Sequence, residues 1–271
     1  TQERWKSRMR KGIPEKRPRN STPDPYKNML PEKEKSKPDG GYVEFRFKAN
    51  CKFKNKKQKE LFNSIMDNRI TFVRGPAGTA KTFISLYAAL ETIKNPVFNI
   101  NQIVLTKPVV EITTSKGLGA LPGTLEEKTD VYFSHFYDNL VKLVGSDAVK
   151  FLKEKGFIKE VVLNYIRGAT IGRYDEHGNP IGSIVIFDES QNCTISEMKT
   201  LISRMGENTK LVILGDSDQI DLRLYEGESC GLDDAIDRLH GIDMINLIEF
   251  DENDIVRDPF LIEIMKRYKN G

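Results

Sequence analysis

Cysteine and histidine are scarce in this chain. The three cysteines, Cys51, Cys193 and Cys230, are odd in number and far apart. They give neither a disulfide framework nor a zinc spacing, which points to a reducing compartment. His135, His177 and His240 are equally scattered, which argues against a histidine metal centre. No apolar run approaches the roughly 20 residues of a membrane span, and the basic, Pro-rich start lacks a signal-peptide core. A cytoplasmic protein without membrane contact is therefore expected. Net charge is only +3, too small to announce a polyanion binder by itself, so the placement of charge matters more.

Regular structure is also scarce before about residue 41. Pro14, Pro18, Pro23, Pro25, Pro31 and Pro38 forbid a continuous helix or strand there. Arg4, Lys6, Arg8, Arg10, Lys11, Lys16, Arg17 and Arg19 make the first half of that stretch strongly basic. The expectation is a disordered basic tail over 1–41, either solvated or laid along a phosphate backbone, followed by one domain over 42–271.

What is present is organised around Phe72 to Thr82. The apolar run Ile70-Thr71-Phe72-Val73 breaks into Gly75-Pro76-Ala77-Gly78-Thr79-Ala80, and Lys81-Thr82 then opens an amphipathic helix beginning Phe83-Ile84. Strand, tight glycine turn and helix start form the context of a phosphate-binding loop. Turn and helix amides converge on an anion, Lys81 reaches the β- and γ-phosphates, and the Thr82 hydroxyl ligates Mg²⁺. Ala80 stands where the pattern has its second glycine. A methyl is tolerable there if φ is negative.

Two further signals lie downstream. Ser183 to Phe187 is a continuously apolar strand ending in Asp188-Glu189, at the strand end where α/β sheets place ligands. Asp188 would hold Mg²⁺ through water and Glu189 would activate the attacking water. Lys210 to Leu214 empties into Gly215-Asp216-Ser217-Asp218-Gln219, where Gln219 is positioned to sense a γ-phosphate. Gln58, just before the loop strand, is a candidate for the adenine edge, or else a surface glutamine on its helix.

Other expectations are a strand over Tyr42–Phe47, a helix through Leu61, Phe62, Ile65 and Met66, and a buried strand over Gln102–Thr106. Helices follow over Tyr132–Val144 and Ser146–Lys155, then a strand over Ile158–Ile166 and a hairpin from Thr170 to Ile186. A helix from Ser196, another over Leu232–Leu239, a strand near Ile245–Phe250 and a last helix over Phe260–Tyr268 complete the chain.

Taken together, Gly75 to Thr82, Ile186 to Asn192 and Gly215 to Asp221 resemble the PhoH family, which looks like the first RecA-like domain of superfamily-one helicases. The similarity extends to Val104–Glu111, Leu121-Pro122-Gly123 and Asp254-Ile255-Val256-Arg257. The resemblance implies an α/β RecA-like P-loop NTPase with a mainly parallel sheet flanked by helices, and ATP hydrolysis with Mg²⁺. By it, Asp188 and Glu189 form the Walker B pair, Gln219 couples the γ-phosphate to movement, Gln58 reads adenine and Gln191 helps place the attacking water. RNA or single-stranded DNA is the implied partner, with Lys107 and the Leu118–Gly123 loop as further contact candidates. The alternative is a nucleotide-dependent switch or assembly protein acting on another protein. Ser190 departs from the family's usual alanine. The short outline resembles the stand-alone forms found in bacteriophages. A lone domain would borrow an arginine from a neighbour, Arg257 first and Arg167 second, in a hexameric ring.

Overall fold

The computed structural model describes residues 45–48, 51–108, 125–163, 166, 171, 173–174, 180–216, 219–222, 228–258, 260, 264 and 267. The basic tail over 1–41, Arg167 and the Leu118–Gly123 loop lie outside these residues, as does most of the expected C-terminal helix.

Each apolar run forms a strand. β1 (Ile70–Arg74), β2 (Ile100–Thr106), β3 (Ile158–Glu160), β5 (Pro180–Phe187), β6 (Lys210–Gly215) and β7 (Ile245–Glu249) build one parallel sheet in the order β3-β2-β5-β6-β1-β7. β4 (Arg173–Tyr174) pairs antiparallel with the start of β5, Arg173 opposite Ile181, which is the expected hairpin. Its turn lies outside the described residues.

Helices cover both faces, which is why the strands read as apolar runs rather than as alternating ones. Side chains of successive residues point to opposite faces. Val73, Ile103, Leu105, Ile184, Ile186, Val212 and Leu214 pack under α1 (Lys56–Asp67), α2 (Lys81–Lys94), α3 (Leu125–Val144) and α4 (Ser146–Glu154). Phe72, Val104, Val185, Phe187, Leu211 and Ile213 face α5 (Ile195–Ser203) and α6 (Gly231–Leu239). α1 starts on an Asn55 side chain that accepts the Gln58 N–H, and α5 on a reciprocal Thr194–Glu197 capping box.

Two expectations fail. Of the strand expected over Tyr42–Phe47, residues 42–44 lie outside the described residues and 45–47 carry no strand; Phe45 and Phe47 are instead pinned by ring contacts, and the Lys48 N–H donates to Leu143 O. The strand expected over Ile158–Ile166 stops at Glu160. Its last rung is the Val161 N–H on Leu105 O. β2 itself ends at Thr106, and Pro108 has no N–H with which to extend the ladder. Leu163 and Ile166 turn instead into the core under the opposite face.

The strand order matters for the site. β6 lies between β5 and β1, with Phe187 beside Ile213 and Arg74 beside Gly215. The loops leaving β1, β5 and β6 therefore open side by side at one sheet edge.

Candidate nucleotide site

These three loops and one side of α3 enclose a cavity of about 530 Å³. Ala77, Gly78, Ala80, Lys81, Thr82 and Phe83 line it, together with Asp188, Glu189, Gly215, Asp216, Gln219 and Arg257. Gly75, Pro76 and Thr79 do not line it. They support it from behind: Lys81 Nζ donates to Gly75 O at 2.6 Å and to Pro76 O at 2.9 Å, and the buried Thr79 hydroxyl donates to Pro76 O. An ammonium has three donors, so two fix the side chain and a third is left for a ligand. Burial pulls Lys81 below the usual lysine range, against the pull of Asp216, Asp188 and Glu189.

Helix α2 begins with no side-chain cap, so its first amides face the cavity free for an anion. The residue before it, Ala80, has φ of 67°. The condition under which a methyl would be tolerated freely is not met: it sits in the left-handed region, at a cost of roughly 1–2 kcal/mol. The loop's amide direction prevails over the residue's own preference. Gly78 has less latitude: its φ of 90° strains any side chain, and a Cβ there would also lie 2.5 Å from Arg257 Nε.

At the end of β5, Thr82 Oγ1 donates to Asp188 Oδ2 at 2.7 Å, bridging two segments far apart in sequence. Burial pushes the Asp188 carboxyl up. The ring nitrogen of His135, the Thr82 hydroxyl and the Glu189 N–H more than offset this and hold it below the usual carboxylate range. His135 Nε2 lies 3.4 Å from Asp188 Oδ2, an ion-pair distance without hydrogen-bond geometry. Glu189 is exposed to the cavity and is itself left-handed, with φ of 55°. Non-glycine residues in that conformation gather where a site over-determines the backbone.

A fully buried side chain, Gln191, ties the second and third motifs together. Its Nε2 donates to Glu189 Oε2 at 2.7 Å and to Gln219 O at 3.1 Å, while its Oε1 accepts the Asp216 N–H at 3.1 Å. Both N–H groups of the amide are committed, and one of them holds Glu189 in place. Gln219 Nε2 donates in turn to Asp216 Oδ2 at 2.8 Å. Ser190, in place of alanine, is satisfied by donating to Leu214 O at 2.7 Å.

Gln58 is not on the cavity. It is buried, its Nε2 donating to Thr79 O at 3.2 Å and its Oε1 accepting the Lys54 N–H at 2.8 Å. One amide N–H and one oxygen lone pair are used in this way, and they place Gln58 behind the phosphate loop. Lys107 lies with Nζ 3.9 Å from the Tyr132 ring centre. Burial lowers its pKa, with the charges of Asp188 and Glu189 opposing. Arg74, beside the loop, is held by Asp233 at 3.2 Å and Glu249 at 2.5 Å.

Arg257 lies over Gly78 of its own chain, where the Val256 N–H donates to Gly78 O at 3.0 Å. The neighbouring carboxylates of Asp254 and Asp258 accept the N–H groups of Asp251 and Phe260. Sequence reasoning missed Asp216, which stood inside a quoted motif without a role. It also missed His135, Asn139 and Lys142 on α3, for which no local pattern exists.

The cavity thus sets Lys81, Lys142 and Arg257 against Asp188, Glu189 and Asp216. Its Thr82 and Asp188 oxygens are hard donors of the kind Mg²⁺ prefers, and few in number. That suits an ion which keeps water and phosphate ligands. Among the described residues no group of three or more His, Cys, Asp or Glu could hold a metal alone. No helix among them is long and apolar enough to cross a membrane.

The family described as PhoH-like protein matches residues 50–269. A PhoH-like protein of Bacillus subtilis is 39% identical over 211 residues, 78% of this chain and 61% of the relative. Protein PhoH of Escherichia coli K12 is 31% identical over 217 residues, 79% of this chain and 57% of that one. The chain therefore spans less than two thirds of these relatives. Among solved structures, the Pif1 helicase of Candida albicans covers 80% of this chain and 44% of its own. It has 15% identity and a TM-score of 0.38.

Proposed function

This chain belongs to the PhoH-like protein family, and on that premise we propose that it is a Mg²⁺-dependent ATPase whose turnover is coupled to single-stranded RNA or DNA. The observation that carries the chemistry is the 2.7 Å contact between Thr82 and Asp188. It brings the start of the phosphate-loop helix and the carboxylate strand to one point, with the Lys81 ammonium beside it.

Little covalent chemistry falls to the protein in phosphoryl transfer; positioning and charge stabilisation carry the rate. The free amides of α2 and the third Lys81 donor bind the phosphate chain. Mg²⁺, held by Thr82 and through water by Asp188, would neutralise charge on the phosphate oxygens. Asp188 is suited to this because its surroundings keep it ionised. Glu189 takes a proton from water. Its Oε2 is held by Gln191, which leaves Oε1 free for that purpose. Gln219, linked to Asp216 and through its carbonyl to Gln191, relates the third loop to the position of Glu189. Arg257, over Gly78, supplies a cation in cis. A hexameric ring is not needed to deliver it, and the case for one rests on resemblance alone. Nucleic acid as partner is supported by the basic run before residue 20 and by the same resemblance.

Lys81→Ala should abolish binding of a fluorescent ATP analogue, because the phosphates lose their loop cation. Glu189→Gln should bind it and fail to turn over, since an amide cannot accept the proton. Wild-type turnover in Glu189→Gln would overturn the assignment of the base. ATPase rates with and without RNA and single-stranded DNA test the coupling. No stimulation by either favours the nucleotide-dependent switch.

A further inference from the structure

The segment leading into α1 has a charge pattern that the nucleotide site does not use. Arg46, Lys48, Lys52, Lys54, Lys56 and Lys59 are all exposed, and no acidic residue occurs from Phe45 to Lys59. Among the described residues, Lys57 is the member of this run with an ion-pair partner, Glu60 at 3.2 Å. Exposure alternates: the cations point outward while Phe45, Phe47 and Phe53 between them are half-buried.

These aromatics anchor the segment. Phe47 stands 5.2 Å from the Tyr87 ring on α2, and Phe53 stands 5.4 Å from Phe62 on α1. Lys94 adds a cation over the Phe45 and Phe47 rings, at 5.8 and 5.1 Å. The first turn of α1 carries lysines and no acidic residue, against the sense of the helix dipole. Folding alone does not favour such a row of like charges. A polyanion laid across it would.

We propose that this strip is where the phosphodiester backbone of a single strand lies, an inference that rests on the nucleic-acid reading above. The aromatics are turned into the domain, so the strip offers fixed cations without an apolar face for a bilayer. Its exposed groups among the described residues are mostly lysine and arginine cations, which predicts binding largely indifferent to sequence. It adjoins the ATP site through one side chain: Gln58 joins the Lys54 N–H to the carbonyl of Thr79 in the phosphate loop. A strand held at Lys52 and Lys54 therefore sits one residue's hydrogen bonds away from that loop.

The test is fluorescence anisotropy of labelled oligouridylate and oligothymidylate against KCl concentration. It compares the full chain with a variant carrying Arg46→Gln, Lys48→Gln, Lys52→Gln and Lys54→Gln. Each single-strand phosphate contact contributes about 0.7 to the log–log salt slope, so the variant's slope should be shallower by about 2–3. Binding of the fluorescent ATP analogue should stay at the wild-type level, because none of the four lines the cavity. Should the quadruple variant not fold, Lys52→Gln and Lys54→Gln singly should each remove about 0.7. A variant slope equal to wild type, with both proteins binding, overturns this placement and leaves the nucleic-acid reading standing. Wild-type protein that binds neither oligonucleotide overturns both. Displacement of the oligonucleotide by polyglutamate at equal charge concentration overturns it in favour of an acidic protein partner.

Discussion

Replacing Gln191 by Leu removes the side chain that holds Glu189 in place while leaving every phosphate contact intact. The amide donates to the Glu189 carboxylate at 2.7 Å, and a hydrogen bond to a charged group is worth about 1.5–3 kcal/mol. If that energy is used to orient the base, turnover falls by about 10- to 150-fold. Affinity for the ATP analogue should hold, because Lys81, Thr82 and the α2 amides are untouched. A second cost follows from burial. The Asp216 N–H loses its acceptor and Gln219 O loses a donor, at about 1–3 kcal/mol for each group left unpaired. The thermal midpoint should drop as well. Gln191→Glu separates orientation from packing. It keeps the shape but sets a second carboxylate beside Glu189, and paired carboxylates raise one pKa of the pair. The base would then be protonated over a higher pH range, so turnover should be lost as pH falls at values where the wild type is still active. Steady-state turnover, analogue binding and pH–rate profiles read these three effects. If Gln191→Leu folds and turns over at the wild-type rate, the Gln191 bridge has no part in positioning Glu189.

Lys210 is buried on β6, and its Nζ donates to Ile65 O, Met66 O and Asn68 O at the end of α1. Lys210→Met should cost about 3–5 kcal/mol by leaving buried acceptors short of a charged donor, read as a large fall in thermal midpoint. The folded pKa of Asp188 is depressed, so its contribution to stability is present above the unfolded value of about 3.9 and is lost as pH falls through the lower folded value. The melting difference between wild type and Asp188→Asn should therefore be widest near neutrality and shrink below about pH 4; a constant difference refutes the linkage. Ala80→Gly relieves the left-handed strain, less the added freedom of glycine when unfolded. It should gain about 0.5–1 kcal/mol, or about 1–4 °C in midpoint. Mixing Arg257→Ala with Glu189→Gln subunits should restore no activity if Arg257 acts in cis; recovery would return it to a neighbour's site.

The phosphate loop was legible in the sequence because its parts are contiguous. A buried strand, a glycine turn and Lys81-Thr82 at a helix start fix one local path, and that path alone aims the amides. The strands of Val104, Ile186 and Ile213 were legible for a related reason. Both faces of the sheet are covered, so each strand had to be apolar throughout. Asp188 and Glu189 followed from lying at such a strand's end. Tertiary structure decided the rest, where a residue's role depends on what arrives from elsewhere in the chain. Ala80 gave no sign of a positive φ, because the loop around it imposes that angle against the residue's own preference. Gln58 gave no sign that packing would set it between the Lys54 N–H and the Thr79 carbonyl. Arg257 showed no link to the phosphate loop until the chain after β7 returned over Gly78. His135, Asn139 and Lys142 carried no local signal, since α3 meets the cavity only through the burial of Phe133, Phe136 and Leu140 against the sheet. Helical periodicity shows which face of α3 is buried, and not which polar residues at the margin of that face will stand beside Asp188.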